Sequence, residues 1–265
     1  MSLILNAIKS TVPDKVYDLP LTNLAAYAFV TTAKTRRVGL SMTLSDDRVF
    51  EFRVKSAVTN MGEVEKLGLK KILEWTDSLN GIERSFAIAS LNSAIDLGGK
   101  NRYFTGNALE LTARLAENKK VAVVGHFPNM DHIKSVASSF TILEKRPQEG
   151  DRKAEDAVEV IPEADVITVT GVTCLNDTLE GLLALKRSDA IFIVLGPTIP
   201  LSPVLFDFGV DVIGGAWVED ENEVLSKMAQ GGTARHVDGL RNILFPKNPE
   251  LLAGFSEVKP PEHII

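Results

Sequence analysis

The sequence predicts an α/β protein in two parts: an N-terminal α+β domain over residues 1–105 and a Rossmann-like parallel α/β domain over residues 106–265. Three observations predict it. Strand-like runs cluster first and helical runs follow them, which is an α+β order. Beyond residue 118, short continuous apolar runs alternate with amphipathic ones, the pattern of a parallel sheet covered on both faces. The junction "GNALELTARLAENKK" (106–120) has an amphipathic period that runs straight into the first parallel strand.

In the first part, "AAYAFVTTA" (25–33), "RRVGLSMTL" (36–44) and "RVFEFRV" (48–54) read as strands, and connections as short as "SDD" favour antiparallel neighbours. "GEVEKLGLKKILEWTDS" and "GIERSFAIASLNSAIDL" read as helices, with Leu67, Ile72 and Trp75, then Ile82, Phe86, Ala89 and Ile95, at roughly helical spacing. Asn92 falls in an apolar stretch of the second helix, so it needs partners if buried.

In the second part the strands are "KKVAVVG" (119–125), "SFTILEK" (139–145), "ADVITVTG" (164–171), "DAIFIVLG" (189–196) and "VDVIGG" (210–215). Helices are expected near 129–138 and 154–161, from about 176, from Ser202 and near 219–230. The tail from Gly231, rich in Gly and Pro, is expected to wrap the surface.

Composition narrows the function. With 29 basic and 35 acidic residues the formal charge is −6, and no long basic run could neutralise a phosphate backbone, so nucleic acid is not expected as a partner. One cysteine allows no intrachain disulfide, the first twenty residues lack signal-peptide character, and no apolar run reaches membrane-spanning length. A cytoplasmic location away from membranes is expected, and a homo-oligomer is compatible with the sequence.

Ligands of open parallel sheets bind outside the carboxyl ends of the strands, where strand order reverses. Three loops fall at such ends: "GHFPNM", "TGVTCLNDT" and "GPTIPLSP". In the commonest winding the first and fourth strands are neighbours, so the first and third of these loops are expected to flank the crevice. Gly125 stands where a dinucleotide fingerprint begins, but Phe127 and Met130 replace its later glycines. Glu144 lies about 20 residues on, where a carboxylate could hold a ribose hydroxyl or merely face solvent. In the second loop Asp177 and Glu180 have capping-box spacing, with Thr173, Asn176 and Thr178 nearby. In the third, Gly196 permits a sharp turn, Pro197, Pro200 and Pro203 stiffen the loop, and Ser202-Pro203 reads as a helix start.

The histidines are His126, His132, His236 and His263, with no zinc spacing among them. His126 and Cys174 lie in two of the crevice loops and are candidate metal ligands of a soft or borderline type. Walker, G-x-S-x-G and H-E-x-x-H motifs are absent.

Taken together, "VVGHFPNM", "LEKRPQEGD", "PEADVITVTGVTCLNDTLEGLL" and "GPTIPLSPVLFDFGVDVIGG" resemble the putative heavy-metal chelation family, and "ERSFAIASLNSAID" resembles its companion N-terminal domain. The resemblance implies an N-terminal domain like the capping domain of enolases, a C-terminal Rossmann-like domain and a site between them. It implies a ligand site of Gly125, Glu144, Thr170, Asn176, Thr178, Gly196 and Pro200, to which position adds His126. The expected function is binding of a small anionic or metal-chelating ligand, with a divalent or heavy metal arriving either free or carried by a chelating molecule. The alternative is an enzyme, a transferase or lyase acting on a nucleotide-like or carboxylated molecule, with His126 as acid–base group.

Overall fold

The computed structural model describes residues 2–44, 58–97 and 103–258. The strand expected at 48–54 lies outside them. The chain opens with helix α1 (Leu3–Lys9), capped by the Ser2 hydroxyl on the Leu5 N–H. Next come β1 (Thr22–Ala26), β2 (Val30–Lys34) and β3 (Val38–Met42), an antiparallel sheet in the order β1-β2-β3. The run expected as one strand at 25–33 is thus two strands, because the chain turns at residues 27–29. Helices α2 (Gly68–Glu74) and α3 (Gly81–Ala94) follow, and α3 packs on this sheet.

Then come β4 (Tyr103–Thr105), α4 (Ala108–Leu115), β5 (Lys120–Val124), α5 (Asp131–Val136), β6 (Ser139–Glu144), β7 (Arg152–Lys153) and α6 (Ala157–Val160). The chain continues through β8 (Val166–Thr170), α7 (Leu179–Leu185), β9 (Ile191–Leu195), α8 (Val204–Asp207), β10 (Val212–Val218) and α9 (Glu221–Ala229). It ends in β11 (Leu240–Pro246) and β12 (Ser256–Val258).

Among the described residues these form a nine-stranded sheet, β12-β4-β11-β10-β9-β8-β5-β6-β7. From β10 to β7 neighbouring strands are parallel, whereas β11, β4 and β12 extend the sheet antiparallel. The protein is therefore mixed α/β with a sheet dominated by parallel pairing. Two sequence expectations change. Strand β5 lies between β6 and β8, not beside β9, so the order reverses between β5 and β8. The tail does not simply wrap the surface: Ile243, Leu244 and Phe245 of β11 are buried within the sheet. Gly231, Gly239 and Gly254 mark turns around a strand whose apolar run was available to pair with β10.

Side chains alternate across the sheet with the period-2 rule of strands. Val121, Val123, Val166, Ile193 and Leu195 face α4 and α5, with Leu111 and Ile133 packed on them. Ala122, Ile167, Val169, Phe192 and Val194 face the opposite layer, where Leu179, Leu182 and Leu205 pack. Ile4, Leu5 and Ile8 of α1, and Ile88 and Leu91 of α3, join that same core. Ser85 and Asn92 of α3 hold the neighbouring backbone: Ser85 Oγ accepts from the Leu44 N–H at 2.9 Å. No helix of the described residues is long and apolar enough to cross a membrane.

Candidate functional site

Three loops meet at the carboxyl edge of the parallel strands. Gly125, ending β5, has φ +97°, and a side chain there would stand 3.0 Å from Thr170 Cγ2. Thr170 ends β8, and its hydroxyl accepts from the Val172 N–H at 3.3 Å to start a short 3-10 turn at Gly171. Gly171 packs against Ile199, a residue of the loop after β9, so closely that a Cβ would lie 2.8 Å from the Ile199 nitrogen. Gly196 has φ +120° and opens that loop beside Gly171. Strand order places the reversal between the first and second of these loops, not the first and third.

The first loop is the exposed one. His126 Nε2 lies 2.6 Å from Asp151 Oδ2, while the ring remains 33% exposed and the carboxylate only 4%. Asp151 comes from the turn after β6, where its Oδ2 also accepts from the Gln148 N–H at 2.7 Å. Burial works to raise the Asp151 carboxyl, but the Gln148 N–H and the His126 ring outweigh it and hold its pKa below the ordinary 3.8. Glu144, half-buried at the end of β6, accepts from the Lys145 N–H at 2.7 Å.

The second loop faces the N-terminal elements. Asp177, at φ +58°, takes both Arg84 Nη atoms of α3 at 2.5 Å each, and Arg84 is buried. Glu180 accepts from Ser2 Oγ at 2.6 Å and from the Ile4 N–H at 3.0 Å. The capping box expected from this pair is not formed: α7 starts after Thr178 with no side-chain cap, because both carboxylates are drawn to partners remote in sequence. Thr178 Oγ1 instead donates to Asn176 Oδ1 at 2.5 Å, and Thr173 Oγ1 donates to the Thr170 carbonyl at 2.7 Å.

Cys174 is buried, with its thiol pushed up to about 12 by burial and then by the charges of Asp177 and Glu180. It lines a cavity of about 230 Å³ with Ser2, Ile4, Thr173, Asp177 and Glu180, between the start of α1 and the second loop.

The third loop lies under α3 and β3. Asn92 Nδ2 donates to the carbonyls of Leu40 at 2.8 Å and Thr198 at 3.1 Å, and the Met42 N–H donates to Thr198 Oγ1 at 2.9 Å. The two carbonyls satisfy the Asn92 amide nitrogen, whereas its Oδ1 is buried without a hydrogen-bond partner among the described residues. Pro200 and Ser202 are buried here, and α8 begins after Pro203 without a hydroxyl cap, one residue later than the Ser-Pro signal suggested.

The candidate residues Gly125, Thr170 and Gly196 therefore come together along one edge, with His126 and Glu144 on its β6 side. Asn176 and Thr178 lie on its α7 side, and Pro200 faces inward. Sequence reasoning missed Asp151, Arg84 and Ser2. The "QEGD" turn hints at Asp151, but nothing local in sequence links Asp177 to Arg84 across 93 positions.

Comparison with known proteins agrees with this architecture. A family profile described as "Putative heavy-metal chelation" (DUF364) matches residues 107–243, and a second with the same description (DUF4213) matches residues 10–95. An uncharacterised protein of Methanocaldococcus jannaschii is 27% identical over 221 residues, covering 80% of this chain and 82% of that protein. Among solved structures, a DUF364 protein of unknown function from Desulfitobacterium hafniense aligns with TM-score 0.73 at 24% identity, covering 92% of this chain and 97% of its own. Another from Pyrococcus horikoshii aligns with TM-score 0.73 at 22% identity, covering 92% and 100%. With one profile spanning over half the chain and its companion most of the rest, this protein belongs to the "Putative heavy-metal chelation" family.

Proposed function

We propose that the protein binds a small anionic or metal-chelating ligand, in a role connected with heavy-metal chelation. The ligand would sit in the crevice between an enolase-N-terminal-like unit before residue 105 and the Rossmann-like unit that follows. One observation carries the reading. The strand order reverses between β5 and β8, so the chain after Gly125 runs to α5 on one face and the chain after Thr170 to α7 on the other, at the carboxyl edge where open α/β sheets take their ligands. The positive φ of Gly125 supports it, since it turns the chain sharply after β5 and leaves the backbone beside Thr170 without a side chain. The family description supports the chelation side. Thermal-shift screening against divalent metals, nucleotides and chelating metabolites tests the proposal. Stabilisation by at least one class is expected, and none across the panel would overturn it.

The second reading, a transferase or lyase, is favoured by the His126–Asp151 pair, because a carboxylate-held imidazole also suits proton transfer. A turnover abolished in His126→Ala with ligand binding retained would select that reading.

A further inference from the structure

A bare heavy-metal ion held by this chain's own side chains requires several donors converging on one point. His126 and Cys174 turn to different neighbours. The His126 ring faces Asp151 from the turn after β6, whereas Cys174 is buried against the cavity by α1 and α7. Among the described residues, no group of three His, Cys, Asp or Glu side chains is placed to hold an ion. The donor set does not fit a bare ion.

His126, by contrast, is arranged as a single donor. A carboxylate at Nε2 favours the tautomer with its proton there, which leaves a lone pair on Nδ1. Nδ1 has no hydrogen-bond partner among the described residues, and the ring is one-third exposed beside Gly125 at the strand-order reversal. The carboxylate that holds the ring is itself shielded and fixed by the Gln148 N–H.

We infer that the ligand is a metal ion already held by a small chelating molecule, with an open coordination position that His126 Nδ1 fills while Asp151 positions the ring. This rests on the reading that the crevice beside Gly125 is the binding site. As the Nδ1–metal bond forms, one water leaves the metal, and neither electrons nor protons need change hands. The chelator supplies the other donors, so the chain needs no ligand cluster of its own.

The test uses Cu²⁺–iminodiacetate, a chelate with open positions, and Cu²⁺–EDTA, whose positions are filled, with binding followed at neutral pH by electron paramagnetic resonance. The full chain is expected to take up one Cu²⁺–iminodiacetate with an imidazole-nitrogen signature and to ignore Cu²⁺–EDTA. His126→Ala should lose that signature, His132→Ala should keep it, and Asp151→Asn should weaken binding roughly 10–100-fold. Wild-type affinity in His126→Ala, or in folded Asp151→Asn, overturns the inference. Should Asp151→Asn fail to fold, ¹⁵N spectra of the wild-type ring decide: a proton on Nε2 is required, and a proton on Nδ1 overturns the assignment. The broader reading is tested separately, with metal-free nucleotides and carboxylates on wild type and Gly125→Val. If those ligands stabilise the wild type, lose affinity in Gly125→Val, and the chelate ignores His126, only the inference made here falls. If nothing binds, both fall.

Discussion

Gly125→Ala separates two reasons for glycine at the end of β5. The residue sits at φ +97°, where an L side chain costs about 1–2 kcal/mol. A Cβ there would also stand 3.0 Å from Thr170 Cγ2 and 3.3 Å from Thr170 Cβ, an overpacking that costs about 1 kcal/mol. Stiffening of the unfolded chain returns roughly 0.5 kcal/mol. The expected net loss is about 2 kcal/mol. Gly196 provides the control, because its φ is +120° but its nearest atom, the Gly171 nitrogen, is 3.9 Å away. Gly196→Ala should therefore cost about 1 kcal/mol, from backbone strain alone. Thr170→Ser removes the Cγ2 methyl and keeps the hydroxyl that accepts from Val172, so in the Gly125→Ala background it should recover about 1 kcal/mol. Urea unfolding by circular dichroism reads each change as a shift in midpoint at constant slope. Equal losses at the two glycines, with no coupling to Thr170 beyond about 0.3 kcal/mol, would refute the close-contact argument. Gly125→Val, the binding probe for the proposed site, is expected to lose affinity. The positive φ means that folding suffers too, so binding must be measured per folded molecule.

Asp177→Asn tolerates the positive φ but strips the charge opposite buried Arg84, and a loss of about 2–3 kcal/mol is expected in urea unfolding; a loss below about 0.5 kcal/mol would show that solvent already neutralises Arg84. Asn92→Ala leaves the carbonyls of Leu40 and Thr198 without their shared donor and should cost about 2 kcal/mol, with retention of wild-type stability counting against the clamp. Burial works to raise the Glu83 carboxyl, but the Ser78 hydroxyl and the N–H and hydroxyl of Thr59 outweigh it and hold its pKa below the ordinary 4.5. A lowered folded pKa contributes stability that is present above 4.5 and lost as pH falls through the folded value, so acid unfolding should be shallower in Glu83→Gln; an unchanged acid limb would remove Glu83 from the account. Cys174, buried with its thiol near 12, should resist thiol reagents in the native protein and react once unfolded, and rapid native labelling would show that the cavity it lines admits solvent to the sulfur.

Local pattern determined the elements of the parallel half. The runs at Val121, Val166 and Ile191 could only be buried strands, because continuous apolar segments bounded by glycine and polar turns have no other stable home. The same pattern located the strand-end loops, since each loop begins where its apolar run stops. Pairing is a different matter. Which strand lies beside β5 depends on how the intervening helices pack, and a parallel strand buried on both faces looks alike in sequence whoever its neighbours are. Only the tertiary structure put β8 there, moved the strand-order reversal to the Gly125 and Thr170 loops and threaded the tail into the sheet as β11. Long-range polar contacts escaped for a related reason. Asp177 and Glu180 carry the spacing of a helix cap, and it took a buried guanidinium and the start of α1, brought near by the shared core, to draw both carboxylates away. His126 was visible as a candidate in its own loop. Its partner Asp151 was not, because a side chain's chemistry is set by the group the fold places against it, and that group lies 25 residues on.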